Sequence, residues 1–471
     1  MVSRRDFLRS AAAGAIALAL PKAIFSKTKE TDKPNIILCM ADDMGWGDPG
    51  FNGNKIIKTG NLDSMAKAGI RFTRFYSGAP VCSPTRGSCL TGRHPYRYGI
   101  FSANVGHIRR EEITLAEALK TQGYTTGHFG KWHLGTLLPD YSGKGPGRKP
   151  KENYMTPDMS GSDEWFSTEY AVATWDPYNP ALFHGKQKEY DVRALYWHNG
   201  ENITEGLKGD DSRIIMDRVA PFIHNAAKNK KPFLAVIWFH APHVPVVAGP
   251  KYRKIYPLYS EDEQHYYGCI TALDEQVGRL RSQLRELGIA DNTMFWFCSD
   301  NGPEGKDGKH GRNRGSAGPF RGRKRSLLEG GVRVPALLEW PAHIKGGQVT
   351  DIPCCTSDYF PTVLDVLSLK MKGQPKPIDG VSLLPLINGK MVRRPVPIGF
   401  ESKNQVSLTD NRYKIYSGDK GKTYMLFDLL EDPGETKDLA AEKHQILQSM
   451  KETLVKWRKS CQDSLAGKDY Q

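Results

Sequence analysis

Two groups of polar residues each follow an apolar segment of the chain and together could hold a metal ion. Asp42 and Asp43 follow one such segment, and Asp300 with Asn301 follows another. Three carboxylates in one place repel one another unless a cation neutralises them, and oxygen ligands suit Ca²⁺ or Mg²⁺ rather than zinc. Either group alone is typical of an ordinary turn. Together, at equivalent strand ends, the two groups indicate a metal site.

The segment 82–87, CSPTRG in one-letter code, is a second candidate for chemistry. Arg86 stands four residues after Cys82, and a neighbouring cation lowers the pKa of a thiol and favours the reactive thiolate. A buried structural cysteine is the alternative interpretation, because free cysteine packs as a small apolar residue. A phosphate-binding loop is a third interpretation, with Gly87 as its one glycine.

Lysine and histidine recur after other strand-like segments. Lys131 precedes His133 by two residues, and His240 precedes His243 by three. Lysine attracts anions and histidine exchanges protons near neutral pH, so this combination suits an anion site with proton transfer. A lone histidine is usually structural, but the repetition at strand ends favours a site.

Positive charge predominates in the chain, which carries 66 Lys and Arg against 52 Asp and Glu, a formal net charge of +14. The glycine-rich segment 306–325 concentrates this charge. Such an excess favours acidic partners, among them nucleic acid, anionic lipid and polyanionic substrates. Phe320 is the one aromatic residue of that segment, so stacking on bases is poorly supported and no nucleic-acid partner is expected.

The elements that must position these residues alternate between strands and helices. Short apolar segments typical of buried parallel strands are 35–40, 233–239, 294–298 and 334–338. Helix-like segments include 114–121 and 265–287. This alternation predicts an α/β fold with a mostly parallel central sheet flanked by helices. Such sheets bind ligands at the carboxyl ends of their strands, where the polar motifs fall.

The pattern changes after about residue 370. Strand-like segments at 413–416 and 424–428 precede an amphipathic helix, which predicts a small C-terminal α+β subdomain. We therefore expect a catalytic domain over residues 34–370 and the subdomain over 371–471.

The first 26 residues are typical of an export signal. Adjacent arginines at positions 4 and 5 precede an apolar run too short to span a bilayer, as in twin-arginine signals. We expect a signal peptide over 1–26, a linker over 27–33, and a periplasmic or extracellular protein. Export permits disulfides, but the eight cysteines show no spacing that fixes their pairing.

Taken together, the motifs resemble those of the formylglycine-dependent sulfatases. Cys82-x-Pro84-x-Arg86, continuing to Arg93, is similar to the family signature. Further segments agree in the same order along the chain: 42–48, 123–133, 240–242, 300–302, 324–331 and 426–435. The resemblance covers about residues 34 to 440, and so many ordered motifs identify the chain as a member of this family.

The resemblance implies an alkaline-phosphatase-like fold and a sulfate-ester hydrolase that releases inorganic sulfate. A separate formylglycine-generating maturation enzyme would oxidise Cys82 to an aldehyde, whose hydrate is the nucleophile. The implied cofactor is Ca²⁺, favoured over Mg²⁺, with four ligands: Asp42, Asp43, Asp300 and Asn301. A twin-arginine substrate leaves the cytoplasm folded, which is consistent with maturation before export.

The resemblance also implies roles for the remaining motif residues. Arg86 would hold the formylglycine hydroxyl, while Lys131 and Lys324 neutralise the transferring group. His240 would be the general acid for the leaving alcohol, and His133 the base that releases sulfate. The expected substrate-binding residues are Lys131, His240, His243, Arg323 and Lys324.

Three positions depart from the family pattern. Cys89 replaces a larger apolar residue, which we expect to affect packing only. Phe129 stands before Gly130 where a small residue is usual, so the strand carrying Lys131 is expected to pack differently. Arg323 replaces a common glycine, and its cation is expected either to bind substrate or to project into solvent.

The substrate is less clearly indicated by the sequence than the reaction. Aromatic residues and histidines between positions 140 and 210 could stack on sugar rings: Tyr170, Trp175, Tyr178, His184, Tyr196, Trp197 and His198. With the basic charge and export, they favour a sulfated carbohydrate. Two alternatives stay open: a phosphatase or phosphonate monoesterase of the same fold, and a catalytically silent polyanion-binding protein.

Overall fold

The computed structural model describes residues 33–178, 191–305 and 312–470, and residues Pro34–Gln471 form one compact unit. Several sequence predictions lie outside the described residues: the signal peptide 1–26, the linker up to residue 32, His184, and the part of the basic segment from 306 to 311. Among the helices that the structure describes, none is both long and apolar enough to cross a membrane.

A mixed sheet of eleven strands forms the centre of the described chain. Its strands are β1 (Asn35–Ala41), β2 (Ile70–Tyr76), β3 (Thr125–Lys131), β4 (Glu164–Thr168), β5 (Tyr196–His198), β6 (Glu201–Ile203), β7 (Phe233–Trp238), β8 (Thr293–Ser299), β9 (Arg333–Glu339), β10 (Gln348–Thr350) and β11 (Cys354–Cys355). The strand order is β10-β2-β9-β8-β1-β7-β3-β4-β5-β6, and β11 also pairs with β2.

Helices cover both faces of this sheet. Those in the described residues are α1 (Gly60–Ala68), α2 (Cys82–Thr91), α3 (Leu115–Lys120), α4 (Asp211–Lys228), α5 (Pro250–Arg253), α6 (Glu261–Glu286), α7 (Glu329–Val332), α8 (Tyr359–Val366), α9 (Leu384–Ile387) and α10 (His444–Leu465). Both predicted helices form, and α6 begins four residues earlier than predicted because Ser260 and Glu263 make a capping box at its start.

Alternation along β1 explains the two apolar layers. Ile37 and Cys39 belong to one core cluster, whereas Ile36, Leu38 and Met40 belong to the cluster on the opposite face. Successive side chains of a strand point to opposite faces, so a strand covered on both sides is apolar throughout. β1 pairs in parallel with both β7 and β8, which confirms the predicted mostly parallel sheet flanked by helices.

The predicted strand at 334–338 forms as β9, but it runs antiparallel to both β2 and β8. The expectation that this segment is parallel is therefore wrong. The reason is the connection: after β8 the chain forms the site loops at the strand's carboxyl end, and α7 then leads directly into β9. No crossover segment carries the chain back to the amino-terminal end of β8. The next strand therefore runs in the direction opposite to β8.

A second, antiparallel sheet follows, as predicted for the C-terminal subdomain. Its strands are β12 (Ile398–Ser402), β13 (Gln405–Thr409), β14 (Tyr413–Ser417) and β15 (Met425–Asp428). Helix α10 packs on this sheet through Ile446, Met450, Leu454 and Trp457, which recur at helical spacing.

A buried group of charges, here called the inter-sheet cluster, connects β14 to the central sheet. The Lys414 ammonium lies 2.9 Å from a carboxylate oxygen of both Glu329 and Glu435. Tyr76 on β2 donates a hydrogen bond of 2.9 Å to Glu329, and Arg333 lies 3.3 Å from the same carboxylate. Although burial opposes it, the two glutamates hold the pKa of Lys414 above its ordinary value.

Candidate active site

The predicted acidic residues meet at the carboxyl ends of β1 and β8. These strands pair in parallel with Ala41 opposite Ser299, so the residues that follow them emerge side by side. The backbone N–H of Asp43 donates to Asp300 Oδ1 at 3.0 Å, and Asn301 Nδ2 donates to Asp43 Oδ1 at 2.7 Å. All four acidic and amide side chains of the prediction are brought together.

The donor atoms at this point fit a hard cation. Asp42 Oδ1 and Asn301 Oδ1 are buried and have no hydrogen-bond partner among the described residues. One ligand atom from each of Asp42, Cys82 and Asp300 lies within 4.8 Å of the others, and Asp42, Asp43 and His243 form a second such group. Buried oxygens without donors are costly unless a cation or water satisfies them, so these residues fit Ca²⁺ or Mg²⁺.

Three cations surround the acids and complete what we call the strand-end cluster: Asp42, Asp43, Asp300, Arg86, Lys131 and Lys324. Lys131 Nζ lies 2.6 Å from Asp42, Lys324 Nζ lies 2.7 Å from Asp43, and Arg86 Nη2 lies 2.7 Å from Asp300. All six side chains are buried.

The charges in this cluster shift each other's protonation. Burial, together with the neighbouring carboxylate of Asp42, raises the pKa of Asp300 to about 7 against the influence of Arg86. Burial also acts to raise the pKa of Asp43, but Lys324 and His243 outweigh it and hold that pKa below its usual range. The cluster therefore raises the pKa of Asp300 and lowers that of Asp43, although the two residues are in hydrogen-bond contact.

Cys82 is the first residue of α2, and it is buried except for the side that faces a cavity of about 520 Å³. The partial positive charge of a helix N-terminus favours negative charge on such a residue. Arg86 follows one turn later, and its guanidinium lies over the Trp238 ring, 5.1 Å from the centroid. The helix ends at Thr91, and at the following Gly92 φ is +70°, a value that glycine adopts without steric strain.

His133 lines the same cavity beside Lys131. Its Nε2 lies 2.8 Å from Asn104 Oδ1, and its buried Nδ1 has no partner in the part of the chain that the structure describes. Burial and then the Lys131 ammonium lower the pKa of His133 well below its usual value. A neutral ring with one free nitrogen can accept a proton.

Both histidines after β7 are expected to bind substrate, but only one of the two lines the cavity. His240, predicted as the general acid, does not line the cavity: its Nδ1 lies 2.7 Å from Asp211 Oδ2 and its Nε2 lies 2.8 Å from Thr168 Oγ1. With both nitrogens bonded and the ring fully buried, His240 cannot reach a substrate. His243 lines the cavity instead, with Nε2 3.8 Å from Asp43.

Arg323, also predicted to bind substrate, does not line the cavity. Its guanidinium donates to the backbone carbonyl oxygens of Glu304 at 2.8 Å and Gly315 at 2.5 Å, so it connects two loops. Lys324 and Arg325 are the neighbours that line the cavity. Arg325 forms a two-fold ion pair with Glu304, which also lines the cavity.

Among the predicted aromatic residues in the described chain, Tyr170 is the one that lines the cavity. Tyr196 and Trp197 belong to β5 rather than to a loop, and Tyr196 stacks on Phe166 with ring centroids 4.3 Å apart. Trp175, Tyr178 and His198 are not among the residues that line the cavity.

Two departures from the family pattern affect packing. Phe129 packs against Phe222 inside the core, and Cys89 is buried there as well. A side chain at Gly130 would lie 2.0 Å from the backbone oxygen of Trp238, so this glycine lets β3 approach β7. All eight cysteines are free and buried.

Sequence reasoning missed several residues on the cavity wall: Asn104, Lys144, Glu304, Arg325, Ser402 and Lys403. They come from segments far apart in sequence. Arg325 lies within the basic segment 306–325, but nothing in the sequence distinguishes it there as a residue of the site. Lys144 and Lys403 could not have been distinguished from solvated lysines.

Two family models match this chain. The family model described as Sulfatase matches residues 34–369. The chain belongs to the sulfatase family. A second model, described as N-sulphoglucosamine sulphohydrolase, C-terminal, matches residues 319–460. As a sulfatase, the protein is a sulfuric ester hydrolase, which confirms the predicted reaction class.

Relatives of known name span most of this sulfatase. N-acetylgalactosamine-6-sulfatase of Mus musculus is 32% identical, covering 81% of this chain and 72% of the relative. Arylsulfatase A of Bos taurus is 30% identical, covering 86% and 83%. The crystal structure of Ps i-CgsB in complex with k-i-k-neocarrahexaose superimposes with a TM-score of 0.76 at 27% identity, covering 90% of this chain and 92% of that one.

Proposed function

We propose that this sulfatase hydrolyses sulfate esters of a sulfated carbohydrate at residue 82 and releases inorganic sulfate. The observation that carries the proposal is the placement of Cys82 at a helix N-terminus, at the cavity and in ligand range of Asp42 and Asp300. Lys131 and Lys324 line the same cavity and would neutralise a sulfate group. The carbohydrate names in the relatives above support the substrate class.

Residue 82 acts as a formylglycine in this proposal. Its hydrate would supply one hydroxyl that attacks sulfur and a second whose deprotonation expels sulfate as the aldehyde forms again. A plain serine would retain a stable sulfate ester. Arg86 is placed one helical turn away and holds Asp300, so it keeps that carboxylate beside the nucleophile.

A metal at the strand ends would be Ca²⁺, held by Asp42, Asp43, Asp300 and Asn301. When bound, it would polarise the sulfate oxygens and favour an ionised nucleophile. The unpaired oxygens of Asp42 and Asn301 support this ligand set. Lys131 and Lys324 meanwhile hold the side chains of Asp42 and Asp43 in place through ion pairs of 2.6 and 2.7 Å.

His243, rather than His240, is the proposed general acid for the leaving alcohol. Burial, Lys324 and Lys131 lower the pKa of His243 well below its usual value in the free protein. A bound sulfate ester adds negative charge beside the ring and so favours its protonated form. His133, with its free Nδ1, is the proposed base for the hydroxyl whose deprotonation releases sulfate.

The proposal includes export by the twin-arginine machinery and maturation by a formylglycine-generating enzyme before export. The arginines at positions 4 and 5 and the apolar run after them support it. The protein would then act in the periplasm or outside the cell.

Two cysteines of α2 allow a matched test. We expect the wild-type protein, produced with a formylglycine-generating enzyme, to release sulfate from 4-nitrophenyl sulfate and from a sulfated galactosamine disaccharide. Cys82→Ala should lower kcat/KM by about a thousandfold or more. Cys89→Ala, a change in the apolar core of the same helix, should leave it within about threefold. Absence of sulfate release from protein that carries the aldehyde would contradict the proposal.

A further inference from the structure

The cavity above Cys82 carries more positive charge than a single sulfate needs. Lys131 and Lys324, which face the sulfate position, each pair with an aspartate of the strand-end cluster. Two further lysines line the cavity, Lys144 and Lys403. Neither has a carboxylate within ion-pair distance among the residues that the structure describes.

Lys144 is held in place over an aromatic ring. Its ammonium lies 4.2 Å from the centroid of Tyr170, close enough for a cation–π interaction. Tyr170 lies against Gly143, where a side chain would come within 2.0 Å of the tyrosine hydroxyl. Burial and the nearby Lys131 lower the pKa of Lys144 against the opposing influence of Glu169. Glu169 already lies 3.6 Å from the Arg148 guanidinium and accepts a hydrogen bond of 2.6 Å from Ser142.

Lys403 reaches the cavity from the C-terminal subdomain. It lies in the two-residue turn between β12 and β13, and its backbone N–H donates to the Tyr96 hydroxyl at 3.0 Å. This contact fixes the turn against the catalytic part of the chain. Arg325 differs, because Glu304 already neutralises it.

We propose that Lys144 and Lys403 bind a second anionic group of the substrate, a sulfate or a carboxylate on the sugar that leaves as the alcohol. The inference rests on the proposed function and narrows its substrate to carbohydrates with at least two anionic groups. Both lysines are exposed at the cavity wall. A cation without a carboxylate partner gains more from an anion than a cation that already has one.

The test compares three disaccharides that share one hydrolysable sulfate: one otherwise neutral, one with a second sulfate, and one with a carboxylate. We expect the wild-type kcat/KM to be at least about tenfold higher for one or both doubly anionic substrates. The arm that shows the preference identifies the second group. In the double variant Lys144→Gln/Lys403→Gln, the kcat/KM values for the doubly anionic and the neutral substrates should differ by no more than about twofold. Salt at about 0.5 M should weaken the preference of the wild-type protein for the doubly anionic substrates.

Matched controls are Lys149→Gln and Lys420→Gln, exposed lysines near the same two loops that do not line the cavity. They should keep the preference. Equal rates for all three substrates, or a preference that survives the double variant, would overturn the inference.

Binding separates this inference from the proposed function. Calorimetry on the Cys82→Ala protein measures affinity for the same disaccharides without turnover. We expect the Cys82→Ala protein to bind a doubly anionic disaccharide more tightly than the neutral one, and this difference in affinity should disappear when Lys144→Gln and Lys403→Gln are added. Such a result supports the second anionic site even where no sulfate is released. Lack of sulfate release then counts against the proposed function alone, whereas equal affinities overturn the second anionic site.

Discussion

The strand-end cluster and the inter-sheet cluster are both buried groups of charges, yet they differ in what they leave unsatisfied. In the inter-sheet cluster Lys414 contacts Glu329 and Glu435 at 2.9 Å, away from the cavity. Glu435 Oε1 has no hydrogen-bond partner among the described residues, but the Lys414 ammonium lies 2.9 Å from it. In the strand-end cluster three cations contact three aspartates, but Lys131 and Arg86 approach Asp42 at Oδ2, and its Oδ1 has no hydrogen-bond partner in the described chain. Its lysines also line the cavity. Buried charge alone therefore does not indicate catalysis; unsatisfied acceptors beside a cavity do.

The largest expected effect is on activity, from removing a lysine of the strand-end cluster. Lys131→Met should lower kcat by about 10²–10³-fold, because the variant loses charge that neutralises the transferring sulfate. Sulfate release from 4-nitrophenyl sulfate at saturating concentration measures it. A loss below about tenfold would mean that Lys131 only balances Asp42, and the two clusters would then be alike.

The second prediction concerns His240 and His243, the two histidines that follow β7. His243→Ala should lower kcat/KM by about 10²-fold for an alkyl sulfate and much less for an aryl sulfate, whose leaving group needs no proton. His240→Gln should instead lower both rates equally and lower the free energy of unfolding by about 1–3 kcal/mol, because it disturbs the contacts with Asp211 and Thr168. A leaving-group dependence in the His240 variant would return the acid role to that residue.

The third prediction is the counterpart of the first. Lys414→Met should lower the free energy of unfolding by about 3–5 kcal/mol, since it leaves Glu329 and Glu435 buried without their common cation. Denaturant unfolding measures the change, with exposed Lys420→Met as the control. The kcat of the folded fraction should stay within about twofold. A large fall in kcat at unchanged stability would show that the inter-sheet cluster serves catalysis directly.

The fourth prediction concerns thermal stabilisation by Ca²⁺. A ligand present at about 100 times its Kd stabilises the folded state by about 2.7 kcal/mol. Ca²⁺ should therefore raise the Tm of the wild-type protein, and a chelator should reverse the shift. Asp43→Asn should remove most of it, whereas Glu435→Gln should retain it. An equal shift in Asp43→Asn would place the ion elsewhere.

Much of the fold could be predicted, because buried strands such as β1 and β8 are apolar along their whole length and polar motifs follow them directly. The direction of β9 could not be predicted, because it depends on whether the connection from β8 to β9 includes a crossover. Local sequence also cannot decide which of His240 and His243 faces the cavity. The turn after β7 buries the first ring against Asp211, a contact 29 residues away in sequence. Lys403 was missed because tertiary contact alone brings its turn to the site.

The central claim is that residue 82 is the nucleophile of a sulfatase. Its most direct test is peptide mass mapping across Cys82 on protein produced with a formylglycine-generating enzyme, paired with sulfate release from the same preparation. We predict the aldehyde at residue 82 and sulfate release in proportion to its fraction. An unmodified thiol, in cells that convert a control sulfatase, together with undiminished sulfate release would contradict the account.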